Sequence, residues 1–380
     1  MPSERKLLIQ GWRFYPSSYS VVNTFQCLEL LRRPDVRLWH QDVPYRPGVP
    51  QTRGMLPPAC EQQIAAIPAP GPGDRPDVIL RIKTPYDFRP AGDVQVFVFG
   101  TAEYCCVARS AAGGLSLREA LVGSPARIVT PSQWSRTGFI RSGADPSIVN
   151  VVPHGVDPSL FQPVPEAQRQ ALRRKHGWNA FTYLHIGAMT NNKGLQHLLW
   201  AFAQVAAIHP DVTLVLKGLD SPYHSRDRLH EVTLAPGDRD LVHNRVRYFG
   251  QTSSFAEVAQ LYQMADAYVS PYNAEGFNLP VLEAMACGLP VICTAGGPTD
   301  EFTHPQCALR IQSTTQEMPI DGETRVALVP DLPDLVAHML AVKDHPDIAA
   351  RARIAGPAWV REKHTWKHVV DRLLEVLFAR

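Results

Sequence analysis

In the first half of the chain, short apolar runs alternate with stretches whose apolar residues recur every three or four positions. The runs are Lys6 to Gln10, Val36 to His40, Asp77 to Ile82, Val94 to Phe99, Arg127 to Thr130 and Ile148 to Val152. They are apolar nearly throughout rather than alternating, which is the pattern of parallel strands buried on both faces. After the first run, Val21, Val22, Phe25, Leu28 and Leu31 follow helical spacing, with Ser17 and Ser18 as capping candidates. Pro153 to Pro163 is punctuated by proline and glycine and reads as a domain boundary.

The alternation then restarts. Phe181 to Ile186, Val212 to Leu216, Val246 to Phe249, Ala267 to Ser270 and Val291 to Thr294 read as strands. Asn192-Lys193-Gly194 leads into a helix with Leu195, Leu198, Leu199, Phe202 and Val205 on one face. Asp220 to Asn244 reads as a polar excursion. Ser254 and Glu257 have the spacing of a capping box. Thr299 is expected to cap a helix after Gly296-Gly297-Pro298, and Trp359 to Phe378 to form one closing helix. Two such βα series predict an α/β protein with two doubly wound domains facing each other across a cleft. Ligands in such sheets sit beyond the carboxyl ends of the strands, where Gly11, Gly100, Gly187, Gly218 and Gly250 fall.

A chain of 380 residues with 45% hydrophobic content can bury two cores. A net charge of +2 gives no argument for a nucleic-acid partner. The seven cysteines have no metal-ligand spacing, and adjacent Cys105 and Cys106 do not suit an ordinary disulfide. That usage fits a reducing, cytoplasmic setting. Met1 to Lys6 is polar and no stretch approaches the ~20 apolar residues of a membrane span, so neither a leader nor a transmembrane segment is expected. The proline-rich stretch from Pro44 to Pro76 reads as an ordered but irregular insertion.

The chemistry concentrates in Glu275-Gly-Phe-Asn-Leu-Pro-Val-Leu-Glu283, which runs on to Gly288 and Pro290. A helix entered at Leu279 takes Pro280 in its first turn and ends before Gly288. Glu275 then lies in the loop ahead of it and Glu283 about one turn inside. The positive end of the helix and its unpaired N–H groups sit between two acids. A sugar nucleotide matches that layout, with a diphosphate in the middle and hydroxyls at each end. Either glutamate alone reads as a helix-start residue. Together they repel unless a cation or hydroxyl lies near.

Three segments resemble the retaining GT-B glycosyltransferases of family four, the glycogen-synthase-like group. They are Arg127 to Phe139 continuing through Val152 to Asp157 and Phe161 to Pro163; His185 to Gly187 with Asn192-Lys193-Gly194; and Ser270 to Glu275 with Asp300-Glu301-Phe302. The closing Trp359 to Leu377 is similar to that family's last helix, which crosses back onto the N-terminal domain. The resemblance implies an acceptor-binding Rossmann-like domain over 1–163, completed by a helix near 357–380. It implies a donor-binding domain over 164–356.

By the same resemblance, Glu275 contacts the donor sugar, and Gly276, Phe277, Asn278 and Leu279 offer backbone groups to sugar and phosphates. Glu283 holds the ribose diol, Lys193 neutralises the diphosphate beside Gly187, and Lys217 is a second cation candidate. The implied reaction transfers a hexose, with retention, from a nucleotide-diphosphate sugar to a carbohydrate, lipid-linked or small-molecule acceptor. Protein cations would replace a metal. Asp238-Arg-Asp240 has a DxD pattern but stands in the polar excursion. Peripheral membrane contact remains open for a lipid-linked acceptor.

Two departures from the family stand out. Ala188 occupies the position where an arginine usually follows the glycine. After Val94 to Phe99 the chain reads Gly100-Thr-Ala-Glu103-Tyr104, without the usual histidine. Thr101, Glu103 and Ser17 are the acceptor-side candidates. A nucleotide-sugar epimerase and a non-catalytic sugar-nucleotide-binding protein are the competing readings. A dehydrogenase lacks its fingerprint loop.

Overall fold

The computed structural model describes residues 4–320 and 322–379. Its strands are β1 Arg5–Gly11, β2 Val36–Asp42, β3 Val78–Ile82, β4 Gln95–Phe99, β5 Arg127–Thr130, β6 Val149–Val151, β7 Phe181–Ile186, β8 Val212–Lys217, β9 Val246–Phe249, β10 Ala267–Ser270, β11 Val291–Thr294, β12 Ala308–Ile311, β13 Ser313–Ile320 and β14 Glu323–Pro330. Two six-stranded sheets have the orders β2-β1-β3-β4-β5-β6 and β12-β11-β10-β7-β8-β9, and a smaller sheet pairs β13 with β14. The strand pairs of the larger sheets are parallel, with Leu7 opposite Leu38 and Val78, and Ile186 opposite Lys217. The chain divides into two compact units. One holds Met1–Gly155, Met318–Arg325 and Thr365–Arg380, and the other Val156–Glu317 and Val326–His364.

The helices are α1 Ser18–Leu30, α2 Pro58–Ala65, α3 Leu117–Ala120, α4 Gln133–Arg141, α5 Glu166–His176, α6 Leu195–Ile208, α7 Asp220–Tyr223, α8 Ser225–His230, α9 Pro236–Arg245, α10 Phe255–Met264, α11 Leu279–Ala286, α12 Leu332–Asp344, α13 Pro346–Lys363 and α14 Trp366–Leu377. In the first unit, Val96, Val98, Ile128 and Phe139 anchor a core beneath the sheet. Helix α14 lies against α1 there, with Trp366 stacked on Phe25 at 5.6 Å. In the second unit, Leu198, Phe202 and Val205 of α6 pack on Tyr183, Leu214 and Leu216.

Local sequence explains the boundaries. Ser17 accepts from the Ser20 N–H to start α1, and Ser254 and Glu257 complete a capping box for α10. Four expectations need correction. The polar excursion 220–244 contains α7, α8 and most of α9, and the Pro44 to Pro76 insertion contains α2. Proline at the first turn costs no hydrogen bond, so Pro58 and Pro236 open helices there. Thr299 is not a cap: it lies inside a short 3-10 turn, Pro298–Glu301, and its hydroxyl bonds Tyr272 and the Thr294 carbonyl. The closing segment is two helices, because the chain breaks at His364 and Thr365 caps α14 through a box with His368.

Candidate functional site

The loop after β7 and the loop after β10 are stitched together by Asn192. Its main-chain carbonyl accepts from the N–H groups of Asn273 and Ala274, and its side-chain amide donates to the Ala274 carbonyl at 3.0 Å. Gly194, two residues on, has φ 68°. A Cβ there would fall 1.8 Å from the Pro271 carbonyl oxygen, so both the backbone angle and the close approach require glycine. This seam sets Lys193 beside Glu275. The Lys193 ammonium donates to Glu275 Oε1 at 2.6 Å, and Glu275 is only 6% exposed.

Glu275 leads into α11. Asn278 adopts a left-handed conformation at φ 78°, uncommon outside glycine, and its amide donates to Ser270 Oγ at 2.9 Å. No side chain caps the amino end of α11, and Pro280 occupies its first turn. The far end closes as expected from Gly288: its N–H reaches the Met285 carbonyl while the Leu289 N–H reaches that of Ala284, the paired bonds of a Schellman motif. The Phe277 ring is buried and stacks on Phe302 at 4.5 Å, so Phe277 and Gly276 can offer a ligand backbone atoms only. Leu279 is the first residue of α11 and is half-buried.

Glu283 lies on α11, and Tyr262 of α10 donates to its Oε2 at 2.8 Å. The residue as a whole is half-buried, and the apolar mass around its carboxyl raises its pKa to about 7, against the lowering effect of the Tyr262 hydroxyl. Each acid of the pair is therefore matched separately, one by an ammonium and one by a phenol. Tyr262 carried no sequence signal beyond its place in an apolar helix face.

Lys217, at the end of β8, is 6% exposed. It donates to the Gly218 and Gln251 carbonyls at 2.7 and 2.6 Å, and burial lowers its pKa to about 8. Two of its three N–H groups are thus committed to the backbone. Gly187 donates its N–H to the Lys217 carbonyl at 3.0 Å, so its amide serves strand pairing. Asp238 and Asp240 both lie on α9, where a spacing of two residues points side chains apart. They join no cluster of three potential metal ligands among the described residues.

In the first unit the acceptor-side candidates are engaged locally. Ser17 Oγ is the α1 cap. Thr101 donates its N–H to the Tyr86 hydroxyl at 3.0 Å, and its own hydroxyl lies 3.4 Å from that of Tyr19. The Glu103 carbonyl accepts from the Trp134 indole at 2.8 Å. Tyr19, Tyr86 and Thr101 thus form a hydroxyl network at the carboxyl end of β4. Among the described residues, no helix is long and apolar enough to cross a membrane.

Residues 180–342 match the family model of the glycosyl transferases group 1. Mannosylfructose-phosphate synthase of Agrobacterium fabrum is 26% identical over 61% of this chain and 48% of its own length. A D-inositol 3-phosphate glycosyltransferase of Thermomonospora curvata is 32% identical over 62% of this chain and 52% of its own. The chain thus spans about half the length of these curated relatives. Among solved structures, Anabaena HepE in complex with UDP and glucose superposes with a TM-score of 0.71 at 16% identity, covering 99% of this chain and 100% of that one. Sucrose-phosphate synthase from Thermosynechococcus elongatus gives 0.69 at 16% identity, with 98% of each chain covered. Residues 180–342 thus match the group 1 glycosyl transferases, and the two Rossmann-like units share the GT-B fold of these solved structures.

Proposed function

We propose that the chain is a retaining glycosyltransferase that moves a hexose from a nucleotide-diphosphate sugar to an acceptor hydroxyl without a metal. The observation that carries this reading is the Lys193–Glu275 contact in the loop leading to the uncapped amino end of α11. The relatives support the donor class. One is named a GDP-mannose-dependent mannosyltransferase, and the Anabaena structure holds UDP and glucose.

Breaking the donor's glycosidic bond builds positive charge on the anomeric carbon and negative charge on the departing diphosphate. Lys193 and the dipole of α11 stabilise that departing charge, the part a divalent metal plays elsewhere. Glu275 orients the sugar hydroxyls, and Glu283 accepts from the ribose diol. The acceptor oxygen enters on the face the diphosphate leaves, which gives retention. Phe277 and Phe302 keep the floor of the loop apolar and dry.

A thermal-shift screen of nucleotides and nucleotide sugars tests the reading first, because a ligand that binds only the folded state raises its melting temperature. A rise with one nucleotide-sugar class is expected. Glu275→Gln in purified protein is then expected to lower transfer on the order of a hundredfold, the scale of losing one group that acts on the transition state. Unchanged transfer would remove Glu275 from the site, and donor consumed without any acceptor product would favour an epimerase.

A further inference from the structure

His185, on β7 just before the Gly187 loop, is 1% exposed. Its Nδ1 donates to the Val269 carbonyl at 2.8 Å, which fixes the tautomer and leaves Nε2 as a bare acceptor. That Nε2 has no hydrogen-bond partner among the described residues. A buried polar atom left unmatched is costly and calls for an explanation. Its surroundings supply one. A Cβ added at Gly187 would sit 3.4 Å from His185 Nε2 and 3.7 Å from the Lys193 side chain, so ring nitrogen and lysine stem flank the same glycine.

Resting on the donor-site reading above, we propose that His185 is the second cation of the diphosphate site, taking a proton on Nε2 when the nucleotide sugar binds. Ala188 leaves the site one positive charge short of its family pattern. A diphosphate beside Gly187 brings negative charge to the edge of a low-dielectric pocket. The proton comes from solvent, the Nε2 lone pair accepts it, and the resulting imidazolium carries one positive charge facing the anion. The Val269 carbonyl already matches the other ring N–H. Without ligand, burial and the nearby Lys193 ammonium hold the ring neutral, with its pKa lowered to about 4.

The charged and titratable groups around the ring are few. Lys193 stands in the following loop, paired with Glu275. Tyr268 of β10 stacks on the ring at 6.3 Å and stays protonated, its pKa raised well above normal by burial. Lys217 of β8 turns its ammonium to the Gly218 and Gln251 carbonyls. None of these acts as a counter-anion for an imidazolium except Glu275, which Lys193 already occupies. The ligand itself must supply the negative charge.

Calorimetric titration with UDP-glucose and GDP-mannose, in buffers of different ionisation enthalpy, counts the protons taken up. The diphosphate diester of these probes binds no proton near neutrality, so uptake belongs to the protein. Wild type is expected to take up roughly half to one proton more than H185Q at about pH 6.5. A188R restores the usual arginine, and its charge opposes an imidazolium. It is expected to tighten donor binding by roughly tenfold and to suppress the uptake. Should H185Q fail to fold, A188R decides alone, since Ala188 is partly exposed. Donor binding with equal uptake in wild type and H185Q, or with uptake unchanged in A188R, overturns the His185 proposal and leaves the donor site standing. Binding of neither sugar nucleotide overturns the donor-site reading, and this proposal with it.

Discussion

Lys193 and Glu275 are 82 residues apart in sequence, yet their side chains meet at 2.6 Å, Nζ to Oε1. Both are largely buried, with side-chain exposures of 20% and 8%. Lys193→Met strips the carboxylate of its counter-charge. The expected loss is about 3 kcal/mol of stability, the scale for breaking a mostly buried pair by removing one member. Glu275→Gln keeps the shape and an acceptor oxygen and is expected to cost less. Urea denaturation of both single variants and the double variant checks this. A coupling below about 0.5 kcal/mol would mean that the two groups do not act as a pair.

Gly194→Ala tests the seam that holds that pair. The new methyl meets the Pro271 carbonyl at 1.8 Å, and the backbone angle already disfavours a side chain. Loss of more than about 2 kcal/mol is expected, together with weaker donor binding, because the two loops must part. Gly237→Ala is the control: nothing lies within 4 Å of its added Cβ, and it sits in α9. It is expected to be neutral or to stabilise by about 0.5 kcal/mol. Differential scanning of the two variants against wild type separates the outcomes.

What the sequence made legible was whatever depends on short-range pattern. Apolar runs located eleven of the strands to within a residue or two, because most of those strands are buried on both faces. Strands β12, β13 and β14 went unseen; β13 is mostly exposed, which leaves no apolar stripe to read. Helices α7 to α9 were hidden by a polar composition, since each buries little. At the site, the Leu279–Ala286 helix could be read from its punctuation. The Lys193–Glu275 contact could not, because it depends on Gly194 fitting against a carbonyl 77 positions further on. The Tyr262–Glu283 bond and the bare His185 nitrogen are likewise products of packing between elements distant in sequence.

Lys217 gives a signature at alkaline pH. Burial lowers its folded pKa to about 8 from 10.5. The folded state therefore holds the proton less tightly than the unfolded chain. The cost is fully present below pH 8 and is relieved as pH rises toward 10.5, because the unfolded state then binds more protons. Wild type is expected to gain about 2 kcal/mol relative to Lys217→Met between about pH 7.5 and 9.5. Urea midpoints at the two pH values measure it. Parallel behaviour of the two proteins would show that the ammonium feels no burial penalty.

Glu283 works in the opposite range. Its folded pKa is raised to about 7 from 4.5, with burial as the main cause. Below 4.5 both states are protonated and the group contributes no difference. As pH rises from there to about 7, the unfolded state ionises first, so stability falls. Relative to Glu283→Gln, wild type is expected to lose about 2–3 kcal/mol across that window and then level off. Tyr262→Phe removes the one hydroxyl that favours the ionised form. It is expected to push the levelling point higher by about one pH unit. A Tyr262→Phe profile identical to wild type would show that the phenol does not set the charge of this carboxyl. A ribose diol donating to the carboxylate replaces the solvation that burial removed, so a saturating nucleotide sugar is expected to draw the levelling point back down.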